Sequence, residues 1–427
     1  MKIAFCTLGC KVNQYETNAM AQKFNEAKHE IVDFEEKADV YIINTCTVTN
    51  IADRKSRQML RRAKQKNKNA IIVAIGCYTQ THADECSKIP EIDLILGNNE
   101  KNKIVNIVND FLKKKTNKIQ VESIDNQKEF LDFGTITYLE KSRAFIKVQD
   151  GCNNFCSYCL IPYARGRIRS RKSQNVIEEI RSIAEQGIKE VVITGININY
   201  YGRDLKNNYY LIDLLEDINK IEDIQRIRLG SLEPIIITEE FVSRLSKLNK
   251  MCNHFHLSLQ SGCDETLKRM NRKYNTKDFE RCVNLIRKKF ENVGLTADVI
   301  VGFPGETEEE FKKTYNFLNK IKFSKIHVFK YSPREGTRAA IMNNQVPSNV
   351  KEERSKKIIQ ISDKYEKEFL DNQIGKTLEV LFEQKEKGIW IGHTKNYIVV
   401  KKQGKNLENK CVDVKIIGRE GLELIGE

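Results

Sequence analysis

The stretch Asp150-Gly151-Cys152-Asn153-Asn154-Phe155-Cys156-Ser157-Tyr158-Cys159 constrains this chain more than any other. Its cysteines follow C-x3-C-x2-C, so one short loop must present three sulfurs to a common point. Three thiolates at that spacing hold three irons of a [4Fe–4S] cube and leave the fourth iron open to a substrate. A structural zinc knuckle is the competing reading. Zinc takes four ligands, and here the local set stops at three, with no nearby His or fourth Cys.

The chain has 427 residues, which suggests two to three domains. No run of 18 or more apolar residues occurs, so no membrane helix is expected. Met1-Lys2-Ile3-Ala4-Phe5-Cys6 reads directly as a strand and lacks the pattern of a signal peptide; a cytoplasmic location is expected. In that compartment the 12 cysteines are better read as metal ligands and buried thiols than as disulfides. The net charge of +14 suits a polyanionic partner such as RNA. Richness in Lys, Asn and Ile offers a compositional explanation of the same charge.

Residues 1–115 alternate strands and helices. Apolar runs at Lys2–Cys6, Val40–Asn44 and Ala70–Ala74 alternate with helical patterns at Tyr15–Glu26 and Asp53–Lys66, predicting an open parallel α/β sheet. Cys10, Cys46 and Cys77 each follow one of these runs, separated by 35 and 30 residues. Strand ends of such sheets line one edge, so the three thiols can converge as a second three-ligand cluster. Simple packing of Cys at strand ends is the alternative. Cys6 and Cys86 read as packing residues.

Residues 116–140 read as a polar linker, with room for one strand. From 141 to 373 a βα rhythm repeats, with strands predicted at Ala144–Val148, Glu190–Thr194, Arg226–Leu229, Phe255–Ser258, Leu295–Val299 and Lys325–Phe329. Six βα units predict a partial (β/α)6 barrel with its site at the carboxyl ends of the strands, where the cysteine loop also falls. Thr194, Gly195, Ser231, Glu233 and Gln260 follow later strands and are candidate cofactor contacts, against the plainer reading of ordinary turn residues. His254 and His256 share one strand face and read as buried structural histidines.

Residues 374–427 change to short β-branched runs, predicting a small antiparallel β-barrel. Its polar loop with Lys395 and Tyr397 is a candidate RNA contact. Arg165, Arg167 and Arg169 follow the cysteine loop and are candidate phosphate contacts. The basic run from Arg54 to Lys68 reads as a solvated helix face.

This order resembles the methylthiotransferase family of radical S-adenosylmethionine (SAM) enzymes over nearly the whole chain. The resemblance rests on Thr7-Leu8-Gly9-Cys10-Lys11-Val12-Asn13-Gln14, Asn44-Thr45-Cys46-Thr47-Val48, Gly76-Cys77, Tyr163-Ala164-Arg165-Gly166, Leu257-Ser258-Leu259-Gln260-Ser261-Gly262 and Gly302-Phe303-Pro304-Gly305-Glu306. It implies a radical-SAM cluster on Cys152, Cys156 and Cys159, an auxiliary [4Fe–4S] cluster on Cys10, Cys46 and Cys77, and a TRAM-like RNA-binding C-terminal domain. It also implies two SAM per turnover and a low-potential electron donor such as flavodoxin or ferredoxin. Lys11-Val12 between Cys10 and Asn13 most resembles the tRNA branch acting on N6-threonylcarbamoyladenosine 37, converting C2–H to C2–SCH3 within the anticodon stem-loop. Alternatives are action on isopentenyladenosine 37, action on a ribosomal protein, and a non-catalytic iron–sulfur RNA sensor.

Overall fold

The computed structural model describes residues 1–114, 118–137 and 143–427. The first layer is an all-parallel sheet of strands β1 (Lys2–Thr7), β2 (Glu30–Val32), β3 (Val40–Thr45), β4 (Ile71–Gly76), β5 (Leu94–Leu96) and β6 (Ile119–Gln120), in the order β2-β1-β3-β4-β5-β6. Every residue of β3 is buried. A central parallel strand covered on both faces reads as an unbroken apolar run rather than an alternation. The helices Lys11–Glu26 and Asn50–Lys66 follow β1 and β3, each starting a few residues before its expected bound.

The segment expected as a linker lies partly outside the described residues. Its described part is a packed strap: Ile119–Gln120 pairs in parallel with β5, and Phe133 and Ile136 pack on Tyr15 and Ala19.

The second layer comprises β7 (Arg143–Asp150), β8 (Arg169–Ser170), β9 (Glu190–Gly195), β10 (Arg226–Leu229), β11 (His254–Gln260), β12 (Gly294–Val301) and β13 (Lys325–Lys330). They form the sheets β10-β9-β7-β8 and β11-β12-β13. Isolated parallel bridges Ile227–Met251 and Leu232–Leu257 stitch the two together. Six parallel strands, with β8 antiparallel at one edge, thus curve into the expected partial barrel. One continuous core joins the inner strand faces to helices such as Ser173–Glu185 and Thr276–Lys289.

The third unit is a closed barrel of β14 (Thr377–Glu386), β15 (Ile389–Thr394), β16 (Val399–Gln403), β17 (Cys411–Glu420) and β18 (Glu423–Gly426). Lys395 and Tyr397 lie in the loop between β15 and β16, as expected. Buried arginines dock this barrel on the parallel strands. Arg226 donates to the His393 and Glu379 carbonyls at 2.7 and 2.9 Å, and Arg228 to the Lys395 carbonyl at 3.1 Å. Glu190 receives Arg228 at 2.7 Å beneath them.

Candidate metal centres and their shared cavity

Two glycines shape the first thiol triad. Gly9 has φ +97°, and a Cβ there would stand 2.6 Å from Cys46 Sγ. Gly76 has φ +118°, and a Cβ would stand 2.6 Å from the Thr45 carbonyl. Side chains at either position would push apart the turns carrying Cys10, Cys46 and Cys77. Asn13 ties those turns together by donating to the carbonyls of Leu8 at 2.7 Å and Thr45 at 3.1 Å. Cys46 and Cys77 are buried, and Cys10 is exposed toward a cavity. Burial, then the neighbouring Cys77 thiol, pushes Cys46 up to about 12.

The second triad sits on the loop after β7. Asn271 donates to the carbonyls of Phe155 and Asn154 at 2.9 and 3.3 Å, and the Ser157 N–H donates to Met270. These bonds strap the loop to the segment after β11. Phe155 takes φ +48°, a left-handed conformation costly for a residue with a Cβ. Donors aim at the sulfurs: the Asn154 N–H at Cys152 (3.5 Å), the Ile161 N–H at Cys159 (3.4 Å) and Arg272 Nη1 at Cys156 (3.1 Å). Burial, then the Cys156 thiol, raises Cys159 to about 12.

Such thiols stay protonated without a metal charge, and a bound iron cluster deprotonates them outright. Among the described residues, no three or more His, Cys, Asp or Glu gather as a single ion requires. A cube spreads its ligands over separate irons, so its thiolates stand wider apart.

The charge around Cys77 also fits an anionic group. Arg165 Nε donates to Cys77 Sγ at 3.2 Å, and Nη2 donates to Asn13 at 2.6 Å. The same guanidinium pairs with Glu16 and with Asp150. Lys147 pairs with both carboxylates, Lys101 with Glu16, and Arg169 lies 3.8 Å from Asp150. Four buried cations thus face two buried carboxylates, and a cluster held by three thiolates, anionic overall, offsets part of the excess. Because Asp150 stands two residues before Cys152, this one network joins the surroundings of both triads.

That finding corrects one expectation. Arg165 and Arg169 are 1% and 3% exposed, locked in the network rather than offered to phosphate. Arg167 alone of that trio is exposed, its guanidinium 4.5 Å from the Phe155 ring. On the basic helix, Lys64 pairs with Asp93 and both Arg62 and Lys66 pair with Glu35, so that face is partly neutralised.

A cavity of about 890 Å³ opens between the three units, lined by Cys10 and Lys11, by Thr194, Gly195 and Ser231, and by Tyr397. Glu233 lies deeper, against the second triad, accepting from Asn154 at 3.0 Å and Arg272 at 3.0 Å. Gln260 ends β11 at a register shift with φ +66°. Such a strained backbone in a non-glycine residue marks a position held by its surroundings. Tyr397 stands on the rim, stacked on His393 with centroids 5.1 Å apart, while Lys395 leans toward Glu379 at 3.8 Å. Sequence reading did not single out Asn13, Glu16, Asn154 or Arg272. Asn154 lies inside the cysteine motif, which was the available signal.

Known proteins share this architecture. Residues 146–318 match the Radical SAM superfamily, and residues 2–97 match a family described as Uncharacterized protein family UPF0004. The chain is 42% identical over 422 residues to "Threonylcarbamoyladenosine tRNA methylthiotransferase MtaB" of Bacillus subtilis (strain 168), covering 97% of this chain and 93% of that protein. It is 41% identical to the protein of the same name from Aquifex aeolicus, covering 97% and 100%. It is 34% identical to "tRNA-2-methylthio-N(6)-dimethylallyladenosine synthase" of Clostridium tetani, covering 99% and 95%. Among solved structures, the radical S-adenosylmethionine methyltransferase TsrM from Kitasatospora setae aligns with a TM-score of 0.59 at 16% identity, over 80% of this chain and 77% of that one, a likeness of fold alone.

Proposed function

The chain belongs to the tRNA methylthiotransferases of the radical SAM superfamily, and from that premise we propose that it converts N6-threonylcarbamoyladenosine 37 of tRNA to its 2-methylthio derivative. The observation that carries this reading is the placement of two thiol triads about one buried ionic network, with Cys10 opening into a cavity between the three units. In this reading Cys152, Cys156 and Cys159 hold the SAM-cleaving cluster, and Cys10, Cys46 and Cys77 hold the auxiliary one. When bound, the two [4Fe–4S] clusters and SAM supply the electron, the hydrogen-abstracting radical and the methylthio sulfur.

The chain's own residues position and enclose. C2–H of adenine is not acidic, so a base alone does not activate it; close approach and exclusion of water are what the protein must provide. Thr194, Gly195 and Ser231 form the cavity wall where SAM is proposed to lie. Glu233, fixed by Arg272, Asn154 and Asn197, is proposed to receive a polar group of SAM. Arg167 and Lys395 outside the chamber and Tyr397 on its wall are proposed RNA contacts, and the proposed electron donor is of the flavodoxin or ferredoxin type.

The test uses the anaerobically reconstituted protein with tRNA bearing the threonylcarbamoyl base, followed by mass spectrometry of the nucleosides. The 2-methylthio derivative is expected, and its loss in Cys156→Ala. Product only from isopentenyladenosine tRNA overturns the substrate assignment. Turnover by Cys156→Ala overturns the cluster assignment.

A further inference from the structure

The cavity wall is almost entirely charge-paired. Lys325 pairs with Glu366 at 2.9 Å, Glu423 with Lys401 at 2.5 Å, and Asp298 with His256 at 3.1 Å. Lys11 is the exception among the described lining residues: it has no carboxylate within 4.0 Å and no hydrogen-bond partner, and its closest specific contact is the Phe145 ring at 5.9 Å. An unpaired ammonium facing a cavity is stabilised by an incoming anion.

A second orphan stands on the same wall. His254 is 7% exposed, and its Nδ1 has no partner. Its Nε2 lies 3.3 Å from Thr296 Oγ1, and Thr296 Oγ1 lies 2.8 Å from His256 Nδ1. Whichever tautomer the ring takes, Nδ1 offers a donor or an acceptor that no described residue uses. Burial, followed by Arg228, His256 and Lys11, keeps His254 well below the usual histidine pKa and therefore neutral.

We propose that Lys11 and His254 are the specificity residues for the threonylcarbamoyl group, Lys11 donating to its carboxylate and His254 Nδ1 sharing a hydrogen bond with its hydroxyl. The inference rests on the substrate reading above. N6 and C2 of adenine flank the same ring nitrogen, N1. A base presenting C2 to the centre at Cys10 therefore carries its N6 chain toward the next residue, Lys11. The carboxylate and hydroxyl stand on adjacent carbons, and each answers one orphan. An isopentenyl chain offers neither and would leave a buried ring nitrogen and an ammonium unmatched, the kind of mismatch that polar sites reject strongly.

Binding of synthetic anticodon stem-loops to the reconstituted protein, followed by fluorescence anisotropy, tests this. The loops carry at position 37 threonylcarbamoyladenosine, glycinylcarbamoyladenosine (carboxylate kept, hydroxyl removed), isopentenyladenosine or adenosine. Wild type should prefer the threonylcarbamoyl loop to adenosine by about tenfold or more, as a charge-assisted hydrogen bond gives. Lys11→Met should erase the preference for both carboxylate loops, and Lys11→Arg should keep it. His254→Phe should reduce the threonylcarbamoyl loop to the affinity of the glycinylcarbamoyl loop. Full preference in Lys11→Met overturns the inference while the wild-type row still supports the substrate reading. Wild-type preference for the isopentenyl loop overturns both.

Discussion

Arg165 donates its Nε to Cys77 Sγ at 3.2 Å from the last residue of Ile161–Arg165, the short helix that follows Cys159. One guanidinium therefore touches one thiol triad from the chain segment that carries the other. Arg165→Met should strip Glu16, Asn13 and Cys77 of their shared donor, at a cost of about 1–3 kcal/mol. Iron should fall from near eight toward about four per chain if the first triad empties. Anaerobic iron analysis with urea unfolding reads both, and full iron at wild-type stability would refute the link. Arg165→Lys should not rescue, because an ammonium cannot serve the fork of acceptors.

Arg272 makes the equivalent contact on the other side, reaching Cys156 Sγ at 3.1 Å and Glu233 at 3.0 Å. A cationic donor at a cluster sulfur favours the reduced, more negative state. In a background lacking Cys10, Cys46 and Cys77, Arg272→Met should make the remaining cluster harder to reduce. Redox titration followed by electron paramagnetic resonance measures the shift, and an unchanged potential would refute the role.

The buried network sets an acid limit on stability. Although burial opposes its ionisation, Lys147, Arg165 and Arg169 pull Asp150 down to about 2, and Arg165, Lys101 and Lys147 hold Glu16 well below the carboxylate range. A carboxylate lowered on folding contributes stability that is fully present above its unfolded pKa and lost as pH falls through the folded one. Asp150 should add no slope from pH 7 to about 4, then lose roughly 2 kcal/mol by about pH 2. Asp150→Asn should abolish that acid segment in urea titrations. An identical slope in the variant would count against the network.

Arg226 holds the C-terminal barrel through the Glu379 side chain and two carbonyls. Arg226→Ala should strand those carbonyls at about 1–3 kcal/mol. Limited proteolysis near Lys376 should accelerate several-fold while the cores of the other two units stay protected. Unchanged cleavage would show that Arg228 and Arg143 suffice.

The period of the apolar runs was legible because parallel strands advertise themselves as continuous Val and Ile stretches, and β1, β3 and β4 fall where expected. Strand-end logic also brought Cys10, Cys46 and Cys77 to one edge. Short strands such as Glu30–Val32 carried too few residues to show a pattern. Arg165 looked like a surface cation because its partner Glu16 lies 149 residues away in sequence. Long-range pairing leaves no periodic trace. Lys11 and His254 were visible as letters, but being unpaired is a property of three-dimensional surroundings.

The guanidiniums beneath the last barrel have a geometric result. They hold the Tyr397 ring in place, with the Arg228 guanidinium 4.6 Å and that of Arg143 5.5 Å from its centre, beside His254 on the cavity wall. The wall beside Lys11 is therefore only as firm as the docking of the barrel, and loosening those arginines would reshape the cavity without touching either thiol triad.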